Sequence, residues 1–291
     1  MVIHVGWLPP QECWDQNTLA QLFANRLYPT GLQFRRHDTW PPDNGAIIVI
    51  PGRHWHERTD QLNAQLGRYE WVLAIRVSDE EDWLAPTAIS HPNIAWWVQT
   101  PRTDTDYGAA YLFGVGYTPA FNTLGGPPPR RSTDVFIAAQ DTHERRHECF
   151  ETLLASHHNA LIYRTKNFAA CDEGVSTDVY ATMMTTAKVA PAPAGPATPD
   201  TFRTYEALAA HTIPIADDIT IAYDSRGYWR RLYPNTPMPV IEKYSDLPGY
   251  IDDALRDYPR AANRITAWWI GEKRRMARRL RADLRALGAS C

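Results

Sequence analysis

The chain has 291 residues, enough for about two domains at roughly 150 residues each, so no metal or disulfide staple is needed to hold a core. Its composition, 44% hydrophobic and 22% charged with 11 Trp, 14 Tyr and 8 Phe, excludes wholesale disorder. A formal net charge of -3 excludes global attraction to nucleic acid or to an anionic membrane, so any such binding requires a local patch. The start, MVIHVGWLPPQE, lacks the basic segment and long apolar run of a signal peptide, and no long uncharged apolar stretch follows. The expectation is a cytoplasmic protein without membrane contact. Cys13, Cys149, Cys171 and Cys291 form no CxxC pair, which points to incidental or buried thiols rather than a zinc cluster or a disulfide framework.

Along the chain, Val2 to Trp7, Ala46 to Ile50, Trp71 to Val77 and Asn93 to Val98 read as strands, with helical spacing from Asn17 to Leu27 and from Arg58 to Leu66. That alternation predicts a parallel sheet with crossover helices. NTLGGPPPRR, residues 122–131, supports neither helix nor central strand and reads as an interdomain linker. A second series follows: strands at Asp134 to Ala138, Ala160 to Tyr163, Lys188 to Pro191 and Ile213 to Ala216. Helices are expected at Glu144 to Ala155, Thr177 to Thr186 and Asp200 to Ala210, and a final one over Ala261 to Leu287. The predicted fold class is α/β, with two Rossmann-like domains at 1–125 and 126–265 and a basic C-terminal helix at 266–291.

The densest chemical signal is TPDTFRTYEALAAHTIPIADD, Thr198 to Asp218. Thr198 or Asp200 can cap a helix with Pro199 in its first turn, leaving free amides and the positive dipole end for an anion. Arg203 and Glu206, three apart, share one helix face. Arginine can clamp a diphosphate while glutamate accepts from ribose hydroxyls; the plain alternative is an intrahelical surface ion pair. HERRHE, His143 to Glu148, places Arg145 and Arg146 at a helix start beyond the first strand of the second half, where open α/β sheets bind ligands. Lys166, past the next strand, is a weaker candidate of the same kind. SDEEDW, Ser78 to Trp83, puts acids at the end of a strand, and Asp79 or Glu80 is the candidate general base; the alternative is a solvated acidic loop.

The run AKVAPAPAGPATPDTFRTYEALAAHTIPIADD resembles the C-terminal nucleotide-sugar half of GT-B glycosyltransferases, particularly the exostosin-like group. Their pattern is a Gly/Pro loop, a Ser/Thr-Phe-Arg step, here beginning at Thr201, a Glu-Ala-Leu and then Pro followed by apolar residues. It is also similar to bacteriophage-encoded sugar transferases, among them those that glycosylate hydroxymethylated bases in DNA. The likeness spans Asp134 to Asp218 and is architectural only over the first half. It implies two domains facing across a cleft, with the last helix returning to the N-terminal domain. The co-substrate would be a UDP- or GDP-sugar, with Arg203 and Arg145 or Arg146 on the diphosphate, Glu206 on the ribose, and no metal or other cofactor. Lys166, Thr198, Asp200 and Thr201 complete the expected donor site. No GxGxxG follows either first strand, which argues against a dinucleotide oxidoreductase.

DTD at Asp104 to Asp106 would hold a divalent metal in the competing GT-A arrangement, and His54 and His56 alternate without a third ligand at recognisable spacing. In the tail, WWIGEKRRMARRLRADLRAL carries Lys273, Arg274, Arg275, Arg278, Arg279, Arg281 and Arg285 against two acids, whereas residues 1–125 hold 8 Arg, no Lys and 13 acids. The small net charge is thus a cancellation of opposed regions. Arg274 and Arg275, with Arg230 and Arg231 set among the aromatics of YWRRLYP, are the candidate DNA contacts, so a 5-hydroxymethylated pyrimidine in DNA is the first acceptor to consider. Protein and glycan acceptors, and a non-catalytic nucleotide- or DNA-binding module, are the alternatives.

Overall fold

The computed structural model describes residues 2–8, 16–24, 30–41, 44–124, 130–165 and 176–289. The first half runs β1 (Val2–Trp7), α1 (Asn17–Phe23), β2 (Gln33–His37), β3 (Gly45–Pro51), α2 (Gly52–Trp55), α3 (Thr59–Leu66), β4 (Trp71–Val77), β5 (Ile94–Gln99) and β6 (Tyr111–Phe113). Its six strands pair in parallel in the order β2-β1-β3-β4-β5-β6. Because side chains alternate across a strand, Ile47 and Val49 join Leu73, Ile75 and Val77 on one face, where α1 adds Leu19 and Leu22. Ala46, Ile48 and Ile50 join Val72 and Ala74 on the other, under Leu62 and Leu66 of α3. Burial on both faces explains the near-continuous apolar runs of β3 and β4. The sequence pattern missed β2, whose QFRRH is largely exposed at the sheet edge, where charge blocks further pairing.

The second half runs β7 (Thr133–Gln140), α4 (Glu144–Ala155), β8 (Ala160–Thr165), α5 (Thr177–Thr186), β9 (Ala187–Ala192), α6 (Phe202–Ala209), β10 (Ile213–Asp217), α7 (Tyr228–Leu232), β11 (Val240–Ile241), α8 (Leu247–Arg256) and α9 (Tyr258–Ala286). This sheet is also parallel, ordered β11-β10-β9-β7-β8. Numbered from β7 the order is 2-1-3-4-5, a doubly wound arrangement whose connections reverse direction between β7 and β9. Pro191 sits in β9 opposite Ile215 of β10 although it has no N–H to donate. The pairing of β9 with β7 extends only to Val135 opposite Val189, so Pro191 lies beyond that ladder.

The chain divides into two compact units, Met1–Val115 with Gly271–Cys291, and Gly116–Ile270. The division precedes the Pro-rich segment because Tyr117 and Phe121 are buried, Phe121 with its ring edge-on to Tyr180 in the second unit. Of that expected linker, residues 125–129 lie outside the described residues. α9 contributes to both cores. Ile265 and Trp269 are buried in the second unit, Trp269 against Tyr205, while Met276, Leu280 and Leu284 join the core of the first. Among the described residues, no helix is long and apolar enough to cross a membrane.

Candidate functional site

Open parallel sheets bind ligands beyond the carboxyl ends of their strands, at the point where the connections reverse. In the second unit that point lies between β7 and β9, flanked by residues 141–143 leading into α4 and residues 193–201 leading into α6. Three basic side chains meet there. Arg203, in the first turn of α6, donates from Nε to the carbonyl of Ala138 at 2.6 Å, in the stretch of β7 beyond its pairing with β9. Its side chain is half-buried, and its Nη groups have no further partner among the described residues. Arg146 spans the two strand ends, with Nε to the Ala194 carbonyl at 3.2 Å and Nη1 to that of Gln140 at 3.4 Å. The ring nitrogens of His143 are shielded from water, and neither makes a well-formed hydrogen bond. Burial first, then the Arg146 charge, holds this imidazole below its ordinary 6.5, against the backbone of Ala194, which raises it. His143 is therefore neutral near pH 7.

The helix opening this site starts later than its sequence signals imply. Thr201 is the N-cap, in extended conformation and without a side-chain cap, rather than Thr198 or Asp200. Thr198 Oγ1 instead accepts from the Asp200 amide at 3.1 Å, and Asp200 accepts the Tyr205 hydroxyl at 2.7 Å, so both are occupied in shaping the loop. By helical geometry the amides of Phe202 and Arg203 have no intrahelical acceptor. The buried hydroxyls of Thr201 and Thr204 also have no partner among the described residues. This end of α6 thus offers donors and a positive dipole end beside Arg203.

Glu206, the expected ribose acceptor, is buried within the second unit. The residue is 3% exposed, and its carboxylate accepts from Thr118 Oγ1 at 2.8 Å and from the Tyr180 hydroxyl at 2.6 Å. Burial pushes its pKa up from 4.5, opposed by these two hydrogen bonds and by the Arg203 charge. Arg145 is likewise committed within the unit: its guanidinium pairs with Asp217, donates to the Glu242 carbonyl at 3.1 Å and lies over the Tyr244 ring. Asp217 also accepts from the Tyr244 hydroxyl at 2.8 Å and the Ile219 amide at 3.1 Å. Asp217 was not singled out in the sequence; two adjacent acids closing an apolar strand are its only signal. Lys166 lies outside the described residues.

In the first unit, Asp79 stands just past β4, buried, with its carboxylate taking the amides of Trp83 at 3.0 Å and Leu84 at 2.9 Å. Buried Arg76 lies 3.5 Å away and also pairs with Asp82. Desolvation pushes the Asp79 pKa up against the Arg76 charge. Gly52 packs so closely here that a Cβ would collide with the Asp79 carboxylate. These contacts make Asp79 a loop anchor, whereas Glu80 is exposed. Arg76 was missed by sequence reasoning, although an arginine inside WVLAIRV is the available signal. Ser78, Asp82 and Thr100 have φ of 52, 63 and 49°, so backbone strain gathers past β4 and β5. Within DTD, Asp104 pairs with Arg102 while Asp106 accepts the Gly108 amide, so the two carboxylates serve different partners.

The aromatics around Arg230 and Arg231 are not available for stacking on a base. Tyr228, Trp229 and Tyr233 are all buried, Tyr228 against Trp229, Trp229 against Tyr205, and Tyr233 against Trp268 and Trp269. Arg230 is exposed and Arg231 half-buried. In the tail, Arg275 pairs with Glu272 and lies over the Tyr111 ring, while Arg274 is exposed. One cluster of metal-ligating type occurs among the described residues, His157, His158 and Asp252, with ligand atoms within 4.8 Å of one another. His158 Nε2 lies 3.0 Å from Asp252, but its buried Nδ1 has no partner among the described residues. A metal-bound imidazole normally gives that second nitrogen a partner, so the cluster reads as a His–Asp pair. No protein-family model matches this chain, and no curated protein matches it.

Proposed function

We propose that the chain is a glycosyltransferase of GT-B type that holds a nucleoside-diphosphate sugar on its second unit and transfers the sugar to an acceptor hydroxyl. The observation that carries this reading is Arg203, fixed by Nε to the Ala138 carbonyl with its Nη groups making no hydrogen bond among the described residues, at the reversal point of a 2-1-3-4-5 sheet and the start of α6. A diphosphate gains charge as it leaves the anomeric carbon. A guanidinium and a helix end already in place stabilise that charge more than the ground state, with no reorganisation. His143, neutral and with unmet hydrogen-bonding capacity, supplies a further donor. Glu206 acts by fixing α6 to Tyr180 and Thr118 rather than by meeting the ribose. Glu80, exposed beside the anchored Asp79, is the carboxylate that takes the acceptor proton. Hydroxymethylated pyrimidines in DNA are the first acceptor to offer, and peptide hydroxyls the second.

The commitment of Arg145, Asp79 and Glu206 to internal partners favours a second reading, a nucleotide-binding unit without transfer. One experiment separates the two. UDP and GDP are titrated while thermal unfolding is followed, and UDP- and GDP-sugars are then incubated with the protein and assayed for release of the diphosphate. Stabilisation with turnover supports the transferase. Stabilisation without turnover on any acceptor supports the binding unit, and no response to either diphosphate overturns both.

A further inference from the structure

The basic residues of α9 fall into two sets that the sequence does not distinguish. Arg275 and Arg279 are neutralised, by Glu272 and Asp283 respectively, and both lie over the Tyr111 ring. Arg274, Arg278, Arg281 and Arg285 have no hydrogen bond or ion pair among the described residues, and all but the half-buried Arg281 are exposed. At 100° per residue these four lie within an arc of about 60°, at successive axial steps of about 4.5–6 Å. They form one straight cationic stripe. Met276, Ala277, Leu280 and Leu284, centred about 115° round the helix from the stripe, are buried in the core of the first unit. Like charges at i, i+4 repel, so a stripe of four without an intervening acid works against the helix that carries it.

We propose that this stripe is a binding site for the phosphate backbone of duplex nucleic acid. Regularly spaced guanidiniums without an ion pair among the described residues match a regularly spaced polyanion, and arginine suits phosphate oxygens through its paired N–H groups. An anionic membrane fits less well. A helix that lies on lipid inserts an apolar face, and the apolar face of this one is already buried. The inference stands independently of the nucleotide-sugar reading, and it replaces Arg275 with Arg278, Arg281 and Arg285 as the partners of Arg274.

The test is fluorescence anisotropy of the full chain with a labelled 20-base-pair DNA duplex of arbitrary sequence, between 50 and 200 mM salt. Four phosphate contacts give a slope of log K against log salt of about -3.6. The combined variant Arg278→Gln, Arg281→Gln, Arg285→Gln should weaken binding at least tenfold at 100 mM salt and flatten the slope by about 2.7. Arg285→Gln alone should flatten it by about 0.9, which keeps the test alive if the triple variant unfolds. Arg256→Gln, paired with Asp253 on α8, should change neither quantity. An RNA duplex binding with the same slope also supports a phosphate-backbone site. Wild type that ignores both duplexes, a triple variant with unchanged slope, or binding to phosphatidylserine vesicles but not to duplex would overturn the proposal.

Discussion

Arg203 donates from Nε to the carbonyl oxygen of Ala138 at 2.6 Å, tying the first turn of α6 to β7 beyond the point where that strand stops pairing with β9. One edge of the guanidinium is thereby fixed, and the other makes no hydrogen bond among the described residues. Arg203→Ala should therefore abolish the thermal stabilisation given by a nucleoside diphosphate, weakening its binding by tenfold or more. Arg203→Lys should recover only part, because an ammonium cannot make both the strand contact and a forked phosphate contact. Titration of UDP and GDP against the three proteins checks this, and equal stabilisation of wild type and Arg203→Ala would remove the anion site from α6.

Glu206 bears on pH dependence. Its folded pKa is raised above 4.5, mainly by burial, so between 4.5 and the raised value the folded state binds the proton that the unfolded state has released. Stability due to this group is present below 4.5 and is lost as pH rises through the folded pKa. Relative to Glu206→Gln, wild type should lose ground over that window and show a constant gap above it. Melting temperatures of both proteins from pH 4 to 8 test the sign. A wild-type advantage that grows with pH would contradict it.

Asp79 separates an anchor from a base. Asp79→Ala leaves buried Arg76 with Asp82 as its one remaining ion-pair partner among the described residues and orphans two amides, at an expected cost of about 3–5 kcal/mol. Gly52→Ala forces a Cβ into the same carboxylate and should cost about 1–3 kcal/mol. Exposed Glu80→Gln should alter stability by no more than about 0.5 kcal/mol. Urea unfolding measures all three. An Asp79→Ala protein as stable as wild type but without turnover would restore Asp79 as the candidate base.

The final helix should show the same contrast between its two sides. Leu280→Ala removes a fully buried side chain from the core of the first unit and should cost about 2–5 kcal/mol, whereas Arg278→Gln on the exposed side should cost less than about 0.5 kcal/mol. Asp283→Ala strips the 2.8 Å acceptor from the buried Trp97 indole as well as the Arg279 pair, and about 1–3 kcal/mol is expected. Denaturant midpoints at constant m-value decide these, and an Asp283→Ala protein within error of wild type would make the indole contact incidental.

What the sequence by itself determined is the set of elements whose burial repeats locally. α4 at Glu144–Ala155 and α5 at Thr177–Thr186 have the bounds their spacing predicts, and β1 and β4 likewise, because periodic burial is written into consecutive residues. The exposed edge strand β2 and the two-residue β11 carry no such period and were invisible. For the candidate site, the sequence located Arg203 and the strand ends around it. Only the tertiary structure decided which charged groups are already spent. Asp217 meets Arg145 across 72 residues of chain, Thr118 meets Glu206 across 88 and Asp283 meets Trp97 across 186. The energy of a charge depends on what lies within a few ångströms in space, and the chain order does not state that distance. The same reason divides the tail: adjacent arginines look alike in sequence, while the fold gives Glu272 to Arg275 and Asp283 to Arg279 and leaves Arg274, Arg278, Arg281 and Arg285 in one line without an ion pair among the described residues.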